Sequence, residues 1–339
     1  MDLNDFNYEL PKELIAQKPE FPRSSSKILI AEKNKISYFN KLHDYLDSND
    51  VLVINNTKVI PAIILGIANS KKVKITLHTK VSVNTWLAFA KPAKRLKAGD
   101  VIQFSNKLSA KILKKNKAHV ELYFNMNEKN LYKFLNKYGD LPIPPYIKSI
   151  NNKEQNKKNY QSIFSKKIGA YASPTASLHF DDLLLTNIKK KIDVIEVTLH
   201  VGAGTFLPLE KNVIELNKLH KEKGYISTLN AKKINESINS KKNIVALGTT
   251  VLRLLEDCYF KYSKVKYYNE HNELFIYPGF KFNVVDKLIT NFHLPKSSLL
   301  LLVSAFAGKK NIIQYYNTAI KNRMRFYSYG DGMIINRLK

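Results

Sequence analysis

An α/β body carrying a separate small all-β unit is the fold class this sequence predicts, and three patterns predict it. After Tyr160, strand-like and helix-like runs alternate, which points to a largely parallel sheet covered by helices. From Ile63 to Leu141 the pattern changes to short stretches of alternating apolar and polar residues parted by polar turns, as in half-buried strands. The 339 residues leave room for both units, since domains typically run to roughly 100–200 residues.

In chain order, residues 11–17 read as a short helix, and Ile28-Leu29-Ile30 and Val51-Leu52-Val53-Ile54 as strands. Residues 55–62 end the second run in polar, turn-competent types, a position for a loop facing a ligand. Residues 73–77 and 118–124 alternate as strands do, and Gly99-Asp100 marks a turn between such stretches. The Pro-rich residues 141–146 and the polar residues 151–159 read as the linker out of the all-β unit. Beyond it come a helix over 181–190, a strand over 194–201, a helix over 231–240 and a strand over 244–248. Ser297 and Ser298 can cap a buried helix that runs to Phe306 and is closed by Gly308.

Composition excludes several classes. With 44% hydrophobic and 24% charged residues the chain is globular rather than disordered. It has no apolar run of the ~18 residues a membrane span needs, and its start, Met1-Asp2-Leu3-Asn4-Asp5, lacks a basic and then apolar signal. A cytoplasmic protein is expected, with no membrane partner. The single cysteine, Cys258, rules out an intrachain disulfide and a Cys-based zinc site and reads as a small buried hydrophobe. A net charge of +27 invites a nucleic-acid partner, because Lys and Arg neutralise phosphates. Only six of the 55 basic residues are Arg, and the chain is also rich in Asn and Ile. That pattern fits a codon bias as well as a function, so charge alone leaves the partner open.

Five segments are too polar for their apolar surroundings. Residues 174–180 (Pro-Thr-Ala-Ser-Leu-His-Phe) lead into a helix whose first amides could hold a carboxylate; equally, Thr175 and Ser177 could cap the helix and His179 be a core histidine. Residues 198–206 carry a strand into a loop with Gly202, Gly204 and Thr205, where glycine lets the backbone approach a ligand or merely turn tightly. This loop is not a dinucleotide fingerprint, and no phosphate-binding Gly-x-x-x-x-Gly-Lys-Ser/Thr loop is present. Residues 245–256 deliver Gly248, Thr249 and Thr250 from a buried strand and place Arg253 and Glu256 on one helical face, as a site or as a surface pair. Residues 288–298 set Asn291, His293 and Lys296 between a strand and a capped helix. Residues 325–332 bring Tyr327, Tyr329 and Asp331 together. His293 and Asp331 are of the types that exchange protons near neutral pH, and Phe306, Tyr327 and Tyr329 offer faces for a cation.

Taken in order, these segments resemble the S-adenosylmethionine:tRNA ribosyltransferase-isomerase family of queuosine biosynthesis. The likeness begins at Asp5-Phe6-Asn7-Tyr8-Glu9-Leu10-Pro11 and includes Asn55-Asn56-Thr57, Pro142-Ile143-Pro144-Pro145-Tyr146 and Pro174-Thr175-Ala176. It continues through residues 198–206, Gly248-Thr249-Thr250, Arg253, Tyr277-Pro278-Gly279-Phe280, residues 290–295 and residues 325–331, nearly the whole chain. The resemblance implies a three-layer α/β/α body over residues 1–62 and 142–339, with a small β-barrel inserted over residues 63–141. It also implies that the ribosyl group of S-adenosylmethionine moves onto 7-aminomethyl-7-deazaguanine at the tRNA wobble position and isomerises, giving epoxyqueuosine-tRNA, adenine and methionine. S-adenosylmethionine is then a consumed substrate, tRNA the partner, and no metal or redox cofactor is needed. A monomer is expected.

That chemistry requires a base, an uncharged amine and a proton donor for departing adenine. His179, His200, Arg253, Glu256, His293 and Asp331 are the candidates for catalysis, with roles unassigned. Thr175, Gly202, Gly204, Thr205, Thr249, Thr250, Asn291, Lys296, Phe306, Tyr327 and Tyr329 are the candidates for substrate binding. Lys58, Lys91, Lys94, Arg95 and Lys97 are the candidates for RNA contact, the last four beside Trp86 as a stacking surface. Four positions depart from the family pattern: Lys58 and Ile63 stand where relatives tend to carry Arg, Ser177 where Gly is usual, and Asn217 where a His is frequent. Two other classes compete, a tRNA-binding homologue without activity and a methyltransferase; the latter is disfavoured because no Gly-x-Gly-x-Gly-like turn follows the first strand of this chain.

Overall fold

The computed structural model describes residues 3–148, 153–202 and 218–338. Strand β1 (Lys27–Ile30) pairs antiparallel with β2 (Lys35–Tyr38), and β3 (Asp50–Asn55) is buried along its whole length. A run such as Val51-Leu52-Val53-Ile54 suits a strand covered on both faces. After β4 (Thr57–Val59) the chain enters a closed six-stranded barrel: β5 (Ile63–Ala68), β6 (Lys71–Lys80), β7 (Thr85–Lys91), β8 (Val101–Ser105), β9 (Leu108–Asn116) and β10 (His119–Phe124). Alternate residues face inward, so Ile75, Leu77, Trp86, Ala88, Ile112 and Leu122 fill the interior. Helix α1 (Glu128–Tyr138), capped by the Asn127 side chain, adds Leu131 and Leu135 to the same core.

Helix α2 (Lys153–Asn159) and β11 (Lys167–Ala170) lead out of the barrel, and β11 pairs parallel with β4, which leads in. The barrel therefore hangs from a two-stranded root. The body continues with α3 (Asp182–Lys189), β12 (Asp193–Leu199), β13 (Lys218–Tyr225), α4 (Thr228–Asn239), β14 (Asn243–Leu247), α5 (Thr249–Tyr262) and β15 (His271–Leu274). It closes with β16 (Lys287–Asn291), α6 (Ser298–Ala307), α7 (Lys309–Lys321) and β17 (Gly332–Asn336).

One nine-stranded sheet runs in the order β15-β13-β12-β3-β14-β16-β17-β1-β2. Its two faces divide each strand residue by residue. Leu29, Val51, Val53, Ile195, Ala246 and Leu288 pack with α4 to α7, while Ile28, Leu52, Ile54, Val245, Leu247 and Ile289 pack with Phe39, Leu42 and α3. The result is the expected three-layer α/β/α body beside a β-barrel.

Local outcomes differ from the sequence reading in four places. The sheet is parallel only across β12-β3-β14-β16 and between β17 and β1; β13, β15, β2 and the β16–β17 pair run antiparallel. The expected helix over 11–17 shrinks to one 3-10 turn, Lys12–Leu14, because Ile15 turns extended and bridges to Phe326. Part of the expected linker is helix α2. Trp86 is 1% exposed inside the barrel, so it offers no surface for base stacking. Among the described residues no helix is long and apolar enough to cross a membrane.

Candidate active site

The four parallel central strands all point their carboxyl ends at one crevice. The chain leaves β3 toward β12 on one side and β14 on the other, the kind of switch in strand order where α/β sheets bind ligands. Asn55, at the end of β3, ties this region together: its amide donates to Leu199 O (2.9 Å) and Thr250 Oγ1 (3.3 Å), and its oxygen accepts from Leu199 N and Thr57 N (3.1 Å each). Asn56 extends the tie, accepting from Thr198 Oγ1 at 2.7 Å and donating to Glu196 at 3.0 Å. The polar residues after Ile54 thus fasten neighbouring strand ends together rather than form a free loop.

The cleft has a cavity volume of about 70 Å³. Residues 173–176 form one wall and Gly248-Thr249-Thr250 the floor, with residues 290–294, Tyr146 and Tyr327-Ser328 around the rest. Its lining is rich in hydroxyls, and among the described residues that line it none is Asp, Glu, Lys or Arg. Three titratable groups remain there. His293 meets Thr290 Oγ1 through Nε2 at 3.0 Å, its N–H donates to Tyr316 Oη at 2.8 Å, and its carbonyl accepts from the Tyr8 hydroxyl. Burial pushes its imidazole down to about 3, so it is neutral at physiological pH. Tyr146 and Tyr327 lie 4.9 Å apart between ring centres, both pushed up to about 12 by burial. Tyr146 shares a hydrogen bond with Ser328 (2.7 Å), and Tyr327 sits at φ +70°, its carbonyl held by the Asn291 amide at 2.9 Å.

Thr175, Thr249, Thr250, Asn291, His293 and Tyr327 of the sequence reading come together here. Gly202 lies beside the cleft-lining Val201, its N–H donating to Glu222 at 2.8 Å. Gly204, Thr205 and Asn217 lie outside the described residues. His179 is wholly enclosed, with Nδ1 2.7 Å from Ser26 Oγ and its ring stacked on Phe39 at 4.0 Å; burial, with Arg325 nearby, pushes it down to about 3. His200 shares a hydrogen bond with Thr57 Oγ1 (2.7 Å) and packs where Gly169 lacks a side chain; burial and Lys223 push it down to about 4.

The other proposed catalytic groups are occupied away from the cleft lining. Arg253 does not pair with Glu256: it donates to Glu222 at 2.7 Å, Asn272 at 3.2 Å and Leu274 O at 3.3 Å, and Glu222 in turn holds Gly202. Glu256 accepts the backbone N–H groups of Asn283, Val284 and Val285, and burial holds its carboxyl above the usual range. Asp331 accepts from the backbone of Lys27 and Arg325 at 2.9 and 2.8 Å, and burial raises it as well. Lys296 reaches Asn4 at 2.8 Å. Phe306 packs edge-on to Phe282 in the core, and Tyr329 faces Tyr160, so neither ring lines the cleft.

Sequence reasoning passed over Ser173, noted Ser328 only as part of residues 325–332 without a role, and took Tyr146 as linker. The Ser173 hydroxyl, next to the segment that begins at Pro174, was the available signal. On the barrel, Lys91, Lys94, Arg95 and Lys97 are all exposed, and a groove of about 640 Å³ brings Lys71 and Lys72 beside Lys94 and Arg95. Lys58 is exposed on β4.

A three-layer body with a cleft at its strand ends, joined to a barrel, defines an α/β enzyme with an inserted β-domain. The family described as queuosine biosynthesis protein matches residues 3–335, and the chain belongs to that family. It is similar to the S-adenosylmethionine:tRNA ribosyltransferase-isomerase of Clostridioides difficile (strain 630), 40% identical over 343 residues that cover 99% of this chain and 100% of that protein. The protein of the same name from Sulfurihydrogenibium sp. (strain YO3AOP1) is 42% identical over 344 residues, with 99% and 100% covered. A crystal structure of S-adenosylmethionine tRNA ribosyltransferase from Thermotoga maritima is 31% identical, with 98% of this chain and 99% of that chain covered and a TM-score of 0.55. The chain is thus an enzyme of queuosine biosynthesis.

Proposed function

We propose that the enzyme moves the ribosyl group of S-adenosylmethionine onto the aminomethyl group of 7-aminomethyl-7-deazaguanine in the tRNA anticodon and isomerises it, giving epoxyqueuosine-tRNA, adenine and methionine. In this reaction three ribosyl bonds break: C5′–S, with its pair left on the methionine sulfur, C1′–N9, with its pair left on adenine, and C4′–O4′. Three form: C4′–N to the amine, C1′–C5′ to close the carbocycle and C5′–O4′ to close the epoxide. C5′ and the amine each give up a proton, adenine takes up one and the other is released.

The uncharged, hydroxyl-lined cleft at the strand ends carries this reading within the molecule, and the full-length likeness to proteins of that name supports it. Among the described residues the cleft lining has no acidic side chain, which favours an uncharged attacking amine. The faces of Tyr146 and Tyr327 supply the attraction a sulfonium needs. Neutral His293, with Thr290 beside it, is placed to accept or relay a proton. The exposed lysines of the barrel would meet the tRNA backbone. The reaction so written needs no metal or redox cofactor.

Incubation of the protein with S-adenosylmethionine and tRNA bearing the aminomethyl base, followed by mass spectrometry of the digested nucleosides, tests the proposal. Epoxyqueuosine with free adenine and methionine is expected. A methylated nucleoside with S-adenosylhomocysteine, or tRNA binding without any product, would overturn it.

A further inference from the structure

One corner of the cleft presents hydrogen-bond donors that the described residues leave unused. Helix α5 begins at Thr249 directly from β14, through Gly248 at φ +91°, and no side chain caps it. Gly248 N is taken by Ile289 O, and Leu252 N returns to Gly248 O, so the amides between them, of Thr249, Thr250 and Val251, are the open first turn of a fourteen-residue helix. Thr250 Oγ1 already accepts from Asn55, which leaves its hydrogen free to donate.

A second observation points to the same corner. Ser173 is only 5% exposed, its hydroxyl has no hydrogen-bond partner among the described residues, and it lines the cleft with Thr249 and Thr250. Its wall is packed on the helix start, since a Cβ at Gly248 would meet Ala176 Cβ at 3.4 Å. A buried hydroxyl without a partner costs roughly 1–3 kcal/mol, so its retention beside open amides calls for an acceptor on a ligand. Donors and helix dipole together favour an oxyanion.

We infer that Ser173 and the amides of Thr249 and Thr250 form an oxyanion subsite for the α-carboxylate of S-adenosylmethionine, an inference that rests on the proposed function. A tRNA phosphate shares this chemistry and is the alternative source of the oxyanion. The carboxylate takes no part in bond breaking here; it anchors the methionine end while the sulfonium faces the tyrosines.

Calorimetric titration of the wild type and of Ser173→Ala with S-adenosylmethionine and with its decarboxylated form, which keeps the sulfonium and adenosine, tests the assignment. In the wild type, loss of the carboxylate should weaken binding at least tenfold, and in Ser173→Ala that ratio should shrink several-fold. This coupling separates a local contact from the general pull of a chain with a net charge of +27. Affinity for an anticodon stem-loop should be the same in both proteins. Equal wild-type affinity for the two ligands, or a ratio unchanged by Ser173→Ala, would overturn the subsite while leaving the proposed function standing. Weaker stem-loop binding by the variant with S-adenosylmethionine binding intact would give the oxyanion to a phosphate and overturn the carboxylate. Failure of the wild type to bind S-adenosylmethionine at all would bring down the proposed function itself.

Discussion

Burial keeps His179 and His293 uncharged well below the pH at which a free imidazole titrates. Each falls from 6.5 to about 3. Below pH 6.5 the unfolded chain takes up protons that the folded chain refuses, so stability present above that pH is lost as pH drops toward 3. At pH 5 this amounts to about 2 kcal/mol for each group. Urea unfolding of wild type and His293→Asn between pH 7.5 and 5 should show the wild type losing stability faster, by about 1.4 kcal/mol per pH unit below pH 6. Parallel curves would mean that His293 is charged in the fold. Arg253 and Glu222 make a buried ion pair whose partners stand 31 residues apart in sequence. Glu222→Ala should cost about 3–5 kcal/mol in thermal or urea unfolding, because it strands a buried charge, and Arg253→Met with Glu222→Leu should recover most of the loss.

Such pairings explain what the sequence concealed at this scale. Scarce arginine drew attention to Arg253, yet its partner Glu222 lies on another strand and gave no local signal. Glu256 and Asp331 looked reactive by type, but the backbone amides they hold come from residues 283–285, Lys27 and Arg325, which only the folded chain brings near. Residues on strand ends were easier to read, since a hydroxyl or amide just past a buried run has little room for any place but the crevice: Thr249, Thr250, Asn291 and His293.

Among the elements, the turn from β14 to α5 makes a backbone demand at the cleft. Gly248 sits at φ +91°, a conformation that side chains disfavour, while a Cβ there would meet Ala176 only at an ordinary contact distance of 3.4 Å. Gly248→Ala should lower stability by about 1–2 kcal/mol in thermal unfolding, with binding of S-adenosylmethionine weakened as the helix start shifts. In the barrel, the loop after β7 anchors itself with buried Leu96 and leaves Lys94, Arg95 and Lys97 outside. Replacing Lys91, Lys94, Arg95 and Lys97 with Ala should weaken tRNA binding and flatten its salt dependence, while S-adenosylmethionine binding stays unchanged. Filter binding at 50 and 200 mM salt reads both effects, and an unaltered slope would exclude this loop from the interface. The strand period explains Trp86 as well. On β7 it shares the inward set with Ala88 and Ala90, a placement that alternation encodes even though lysines surround it in sequence. The antiparallel flanks of the sheet had no such local sign: β1 joins the sheet between β2 and β17, an element some 300 residues away.

At the scale of the whole molecule, a body that carries the cleft is joined to a barrel whose lysines face solvent, through strands β4 and β11. The architecture was legible because each part has its own hydrophobic period, continuous in the body and alternating in the barrel. The proposed reaction transfers the ribosyl group of S-adenosylmethionine rather than its methyl group. The most direct measurement supplies S-adenosylmethionine carrying carbon-13 either throughout the ribose or in the methyl group, with tRNA bearing the aminomethyl base, and weighs the modified nucleoside. The account predicts that the ribose label enters the nucleoside whole and the methyl label leaves with methionine. A nucleoside that carries the methyl label, or neither label, would contradict it.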